Sequence, residues 1–130
     1  MKFMLMMQGT RKGWESMSTW TEAEIRAHIR FMMNLANELT ASGELVLAEG
    51  LDVPANAKIV TATKADAPTV SDGPFAETKE FLAGFWIVDC ASPERAVAIA
   101  AKASTAPGRG GVPFGIPIEI RQVMSAPPMD

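Results

Sequence analysis

The chain has 130 residues, enough for one small core and too few for two, and its net charge of −3 with 21% charged residues argues against the clustered basic surface of a nucleic-acid binder. No apolar stretch reaches the roughly 18 residues that a membrane-spanning helix needs, so no membrane partner is expected. One cysteine, Cys90, excludes an internal disulfide and a cysteine-based zinc site, and one histidine, His28, excludes a histidine-rich metal site within a single chain.

The first expected element is a strand, Lys2 to Gln8. It begins without the charged, apolar and small-residue order of a signal peptide, which makes the cytoplasm the expected compartment. Gly9 to Thr19 reads as a loop carrying Trp14. Thr19 with Glu22 three residues on has the form of a capping box, so a helix is expected from near Trp20 to Gly43. Ile25, Ile29, Met32, Leu35, Ala36 and Leu39 recur at three- and four-residue steps and form its expected buried stripe, with His28 on or beside it. Leu45 to Leu51 is the second strand, broken at Pro54. Within it Glu49 shares a face with Leu45, Leu47 and Leu51, where a carboxylate is costly unless it is paired, hydrated or bordering a pocket. Ala57 to Thr63 and Thr69 to Asp72 read as a hairpin joined by the polar turn Lys64 to Pro68.

Next comes the turn Asp72-Gly73-Pro74, then Phe75 and the charges Glu77, Lys79 and Glu80. Gly and Pro in tandem fix a chain reversal, which displays a polar loop on a strand-rich scaffold where binding and catalytic groups tend to sit. Phe81 to Cys90 is the next strand. Ser92-Pro93 combines an N-cap with Pro at the first helical position and starts a second helix that runs to about Ser104. Residues 105 to 115 hold four glycines and two prolines and read as a loop or lid before the closing strand Ile116 to Val123. Gly108-Arg109-Gly110-Gly111 precedes a strand rather than a helix and so lacks the setting of a phosphate loop. One domain over residues 1–124 with a loose tail over 125–130 is the expected organisation.

The strands are apolar on both faces. Phe81, Ala83, Phe85 and Ile87 alternate with Leu82, Gly84, Trp86, Val88 and Cys90, and Phe3, Leu5 and Met7 alternate with Met4 and Met6. Two helices cover one face of such a sheet, so a second copy is the expected cover for the other, giving a homodimer of face-to-face sheets. The nine methionines suit either the core or that interface.

The loop Asp72-Gly73-Pro74-Phe75 is accompanied, in order along nearly the whole chain, by Met1-Lys2-Phe3-Met4-Leu5-Met6, Ala48-Glu49-Gly50-Leu51, Ala83-Gly84-Phe85-Trp86 and Glu119-Ile120-Arg121-Gln122-Val123. In these segments the chain resembles the YCII-related superfamily, and within it the branch known for an Asp-Gly-Pro-Phe loop. The resemblance implies an α+β, ferredoxin-like βαββαβ domain with an extra hairpin. Its antiparallel sheet carries two helices on one face, and it dimerises into an α+β barrel with a cleft for a small molecule. Relatives are found associated with sigma factors of the extracytoplasmic-function type, which implies an interaction role as a further reading. Members commonly carry a histidine on the first long helix. Counting back from Glu38-Leu39 and Gly43 places it at Met32, so His28 departs from the pattern by one turn, roughly 6 Å along the helix.

Three functions follow as expectations. In a proton-transfer enzyme, an isomerase or lyase, His28 is the base and Asp72 its carboxylate partner, with Glu49 in the same cleft. In a binding or sensing module, Trp14, Phe75 and Trp86 wall an apolar pocket, Gly73 and Pro74 shape its loop, and Glu77 or Lys79 orients the ligand. For Trp86, packing in the dimer contact is the favoured reading over a place in the pocket floor. In an interaction module none of these turns over a substrate. Structural readings stand beside them: His28 bonded to backbone or water, and Asp72 holding its own turn through backbone amides. No cofactor and no metal are expected.

Overall fold

The computed structural model describes residues 1–73 and 80–126. In chain order the elements are β1 (Lys2–Thr10), α1 (Arg11–Met17), α2 (Glu22–Ala41), β2 (Leu45–Gly50), β3 (Ala57–Thr61), β4 (Thr69–Gly73), β5 (Glu80–Asp89), α3 (Pro93–Ser104) and β6 (Ile118–Gln122). Short 3₁₀ turns lie at Pro54–Asn56 and Arg109–Gly111.

Two local signals resolve differently from the sequence reading. The segment after β1 is a helix, not a loop: Thr10 caps α1 by accepting from the Gly13 amide at 2.9 Å. This seven-residue helix buries no side chain, so it carries no apolar period to betray it. The capping box sits two residues later than expected. Thr21 accepts from the Glu24 amide at 3.1 Å while the Glu24 carboxylate accepts from the Thr21 amide at 2.8 Å. The Thr19 hydroxyl instead donates to the Ser16 carbonyl at 2.6 Å and closes the preceding turn. At the other end, Gly43 at φ +77 stops α2.

Four strands form an antiparallel sheet in the order β2-β5-β1-β6, the ferredoxin-like arrangement, and β3-β4 forms a separate two-stranded sheet inserted between β2 and β5. Phe3 and Leu5 of β1 lie opposite Val88 and Trp86 of β5 and pack with Leu35 and Leu39 of α2 and with Ala96, Ile99, Ala100 and Ala103 of α3. That is the core. Met4 pairs with Ile87 and Met6 with Phe85 on the alternate face, turned away from α2 and α3, where these residues are half-buried and Leu47 is exposed.

A register shift between Leu45 and Leu47 changes the expected face of β2. Leu45 lies opposite Val88 on the helix side, whereas Leu47 and Glu49 lie opposite Ile87 and Phe85 on the other. A bulge of this kind inverts the alternation, so Glu49 does not share a face with Leu45. The apolar stripe of α2 is likewise buried over only half its length. Leu35 and Leu39 are buried, but Ile25 is 39% and Ile29 51% exposed. The first half of the helix borders a cleft rather than the core.

The start of β2 is tied to the first turn of α3 by a bidentate ion pair, with Arg95 donating to the Glu44 carboxylate at 2.9 and 2.8 Å. Arg95, and then the Ser42 hydroxyl, pull the Glu44 carboxyl down to about 2. Its folded-state value therefore lies below the ordinary 4.5, so the contribution is complete above about pH 4.5 and is lost as the pH falls toward about 2. Because Arg95 faces solvent, water screens the pair. The expected result is that wild type melts roughly 3 °C above Glu44→Gln near neutrality and that this gap closes on acidification through that window, read by thermal melts at a series of pH values.

Candidate functional site

The site grows from the far end of β1. A bulge between Met7 and Gln8 leaves Ala83 of β5 without a partner on β1, and beyond it the strand passes directly into α1. Bulges of this kind re-aim side chains beside functional clefts. Here the end of β1, the helix α1, the start of β5 and the segment Phe114–Pro117 enclose a cavity of about 380 Å³. Its walls are Met7, Trp14, Met17, Phe81 and Phe114, and its polar side chains are Gln8, Thr10 and His28. A second cavity of about 460 Å³ adjoins it, sharing Met7, His28 and Ala83. It lies between α2, through Ile29, Met32, Met33 and Ala36, and the sheet, through Ala48, Glu49, Gly84 and Trp86. Gly84 makes room for β2: a Cβ there would stand 2.9 Å from the Glu49 carbonyl oxygen.

His28 stands at the junction of the two cavities. Its Nδ1 lies 3.0 Å from the Pro107 carbonyl oxygen. A carbonyl only accepts, so Nδ1 carries the hydrogen and Nε2 is left as the acceptor of the neutral ring. The imidazole meets Trp20 edge-on at 5.7 Å and Phe114 at 6.3 Å, and those two rings meet each other at 5.2 Å. One turn earlier on α2, the Glu24 carboxylate accepts from the Gly110 amide. That amide first, and the Thr21 amide second, hold the Glu24 carboxyl below its usual range. Glu24 and His28 thus fasten the glycine-rich loop to α2 at two points. Gly110 at φ +70 and Gly115 at φ +72 take the left-handed turns that bring Phe114 back over the cleft. The Ser104 hydroxyl donates to the Ile116 carbonyl at 2.8 Å and fixes the loop's far end.

The expected site residues are distributed unevenly around this cleft. Trp14, 47% exposed on α1, is in the wall of the first cavity. Glu49 and Trp86 line the second, Glu49 exposed on the edge strand and Trp86 buried. Trp86 faces the helices, opposite Leu5, so it belongs to the core and cleft floor and not to a contact on the open face. Asp72 is elsewhere. The strand β4 runs through Asp72 and Gly73, which places Asp72 opposite Lys58 in the hairpin, where the two form an ion pair with the carboxylate side chain 82% exposed. It therefore neither meets His28 within this chain nor bonds turn amides among the described residues. Gly73 is buried against the Ile59 side chain, which leaves no room for a Cβ there. Pro74, Phe75, Glu77 and Lys79 lie outside the described residues.

Sequence reasoning did not single out Gln8, Met17, Glu24, Pro107 or Phe114. The glycines of residues 105–115 flagged a lid, but nothing local announces that the carbonyl of Pro107 meets a histidine 79 positions earlier. Among the described residues no three His, Cys, Asp or Glu side chains gather as a metal site, and no helix is long and apolar enough to cross a membrane.

Comparison with known proteins places this geometry in a family context. A family model described as the YCII-related domain matches residues 1–112. An uncharacterised protein of Rhizobium meliloti is 36% identical over 89 residues, which is 68% of this chain and 71% of that protein.

Proposed function

The chain belongs to the YCII-related domain family, and on that footing we propose that it binds a small molecule in the cavity beside His28. The observation that carries this reading is a cavity of about 380 Å³, walled mainly by apolar and aromatic side chains around one imidazole, which has the size and composition of a ligand site. The Asp72-Gly73-Pro74-Phe75 segment supports assignment to the Asp-Gly-Pro-Phe branch of the family. A second reading, proton transfer, rests on His28 alone: Glu49 borders the same second cavity, but its side chain shares the far face of the sheet with Leu47 and Phe85. Asp72, paired with Lys58, gives that chemistry no support within the chain. Binding is the better supported of the two, since among the described residues no Asp or Glu lines the first cavity to assist a proton transfer at His28. A second copy of the chain is the proposed partner, covering the apolar face of Met4, Met6, Phe85 and Ile87. The cytoplasm is the proposed compartment.

A thermal-shift screen of metabolites tests the binding reading. We expect hits that raise the melting temperature and saturably change Trp14 emission, and Met17→Trp, which fills the cavity from α1, should abolish their binding while shifting the melting temperature by no more than about 2 °C. A ligand that binds Met17→Trp as tightly as wild type contradicts the site.

A further inference from the structure

Resting on the reading just given, we propose that the ligand of the first cavity is an uncharged aromatic compound of one or two rings that donates a hydrogen bond, through O–H or N–H, to Nε2 of His28. Three features converge on this class. The Pro107 carbonyl holds Nδ1–H, so the tautomer is set and Nε2 presents a lone pair. Nε2 of His28 has no hydrogen-bond partner among the described residues, and the ring lines both cavities. A ligand acceptor placed there would oppose the lone pair, whereas a donor completes it.

The walls choose the body. Trp14, Phe81 and Phe114 present ring faces and edges, and Met7 and Met17 add polarisable sulfur, a lining that favours flat rings over flexible polar chains. Charge is disfavoured in both senses. Among the described residues no Lys, Arg, Asp or Glu lines the cavity, and the neutral imidazole of this proposal carries no charge, so an ionic group would lose its hydration without gaining a counter-ion from them. The neutral polar groups Gln8 and Thr10 at the end of β1 accommodate a second hydroxyl or carbonyl on the ring.

Matched probes test this on the full chain by ligand-observed NMR: indole against 1-methylindole and phenol against anisole, in which methylation removes the donor. Indole-3-acetate and tryptamine add an anion and a cation to the same ring. The donor member of each pair should bind about fivefold more tightly, and both charged analogues more weakly than indole. Because His28 is the one histidine in the chain, ¹⁵N-labelled histidine yields a single pair of ring signals. Indole should move Nε2 and leave Nδ1 in place, while 1-methylindole should leave both unmoved. In His28→Phe the donor preference should fall to about one, and the labelled wild-type spectrum decides the matter should that variant fold poorly. Equal binding within the pairs, a stationary Nε2 with indole bound, or tighter binding of either ion overturns the assignment. If these probes fail while other compounds bind and Met17→Trp excludes them, the ligand class is wrong and the binding site stands. If no compound of any class binds, the binding reading itself falls.

Discussion

Trp86→Ala is expected to remove about 3–5 kcal/mol of stability, a large share of what a domain of this size possesses. The side chain is 5% exposed, lies opposite Leu5 on β1 and Ala48 on β2, and forms both core and floor of the second cavity. Truncation merges the vacated space with that cavity, and the backbone cannot collapse into it because β5 is hydrogen-bonded on both sides. Chemical denaturation measures the effect as a lower midpoint. Since Trp86 faces the helices, the loss should be the same whether or not the protein is dimeric, and a loss below about 1 kcal/mol would contradict its place in the core.

One residue further along β5 the outcome should differ in kind. Ile87 lies on the opposite face, beside Met4 and Leu47, so Ile87→Asp places a charge in the surface assigned to the partner copy. Burying an unpaired carboxylate in such a contact is expensive, and dissociation avoids it. Light scattering at micromolar concentration should read twice the 13.9 kDa chain mass for wild type and the single mass for Ile87→Asp, with the fold retained by circular dichroism. A wild-type protein that scatters as a monomer removes the dimer proposal outright. The pair of variants thus separates the two faces of one strand, Trp86 through folding and Ile87 through assembly.

Much of the architecture follows from short-range patterns in the chain. Alternation along β1 and β5, Ser92-Pro93 at the start of α3, and Gly43 at the end of α2 are local rules whose physical causes act within a few residues, and each element formed close to where its pattern lies. Patterns that compete locally were less legible. Thr19-Glu22 and Thr21-Glu24 both fit a capping box, and the choice fell to Thr21 because the Thr19 hydroxyl is taken by the turn that closes α1. α1 itself buries nothing, so it leaves no apolar stripe to read. A periodic stripe also says which face of a helix is apolar without saying what covers it: Ile25 and Ile29 continue the period of Leu35 and Leu39 but stay exposed, Ile29 at the edge of a cleft.

The site depended on what no local pattern records. His28 was conspicuous as the only imidazole, yet its tautomer is set by the Pro107 carbonyl, and its neighbours Trp20 and Phe114 come from segments on either side of α2 and α3. Asp72 looked like its partner and is instead committed to Lys58, because a strand that continues through Asp72 turns a loop residue into one half of a cross-strand pair. The sequence by itself determined the α+β class, the order of the strands and the two longer helices, and the apolar sheet, since these arise from propensity and periodicity within single segments. Only the tertiary structure decided that Asp72 pairs with Lys58, where the bulges of β5 and β2 invert the faces, and which loop closes the cavity. Those depend on register and on contacts between residues tens of positions apart, and a one-residue shift in register exchanges buried and exposed side chains throughout a strand.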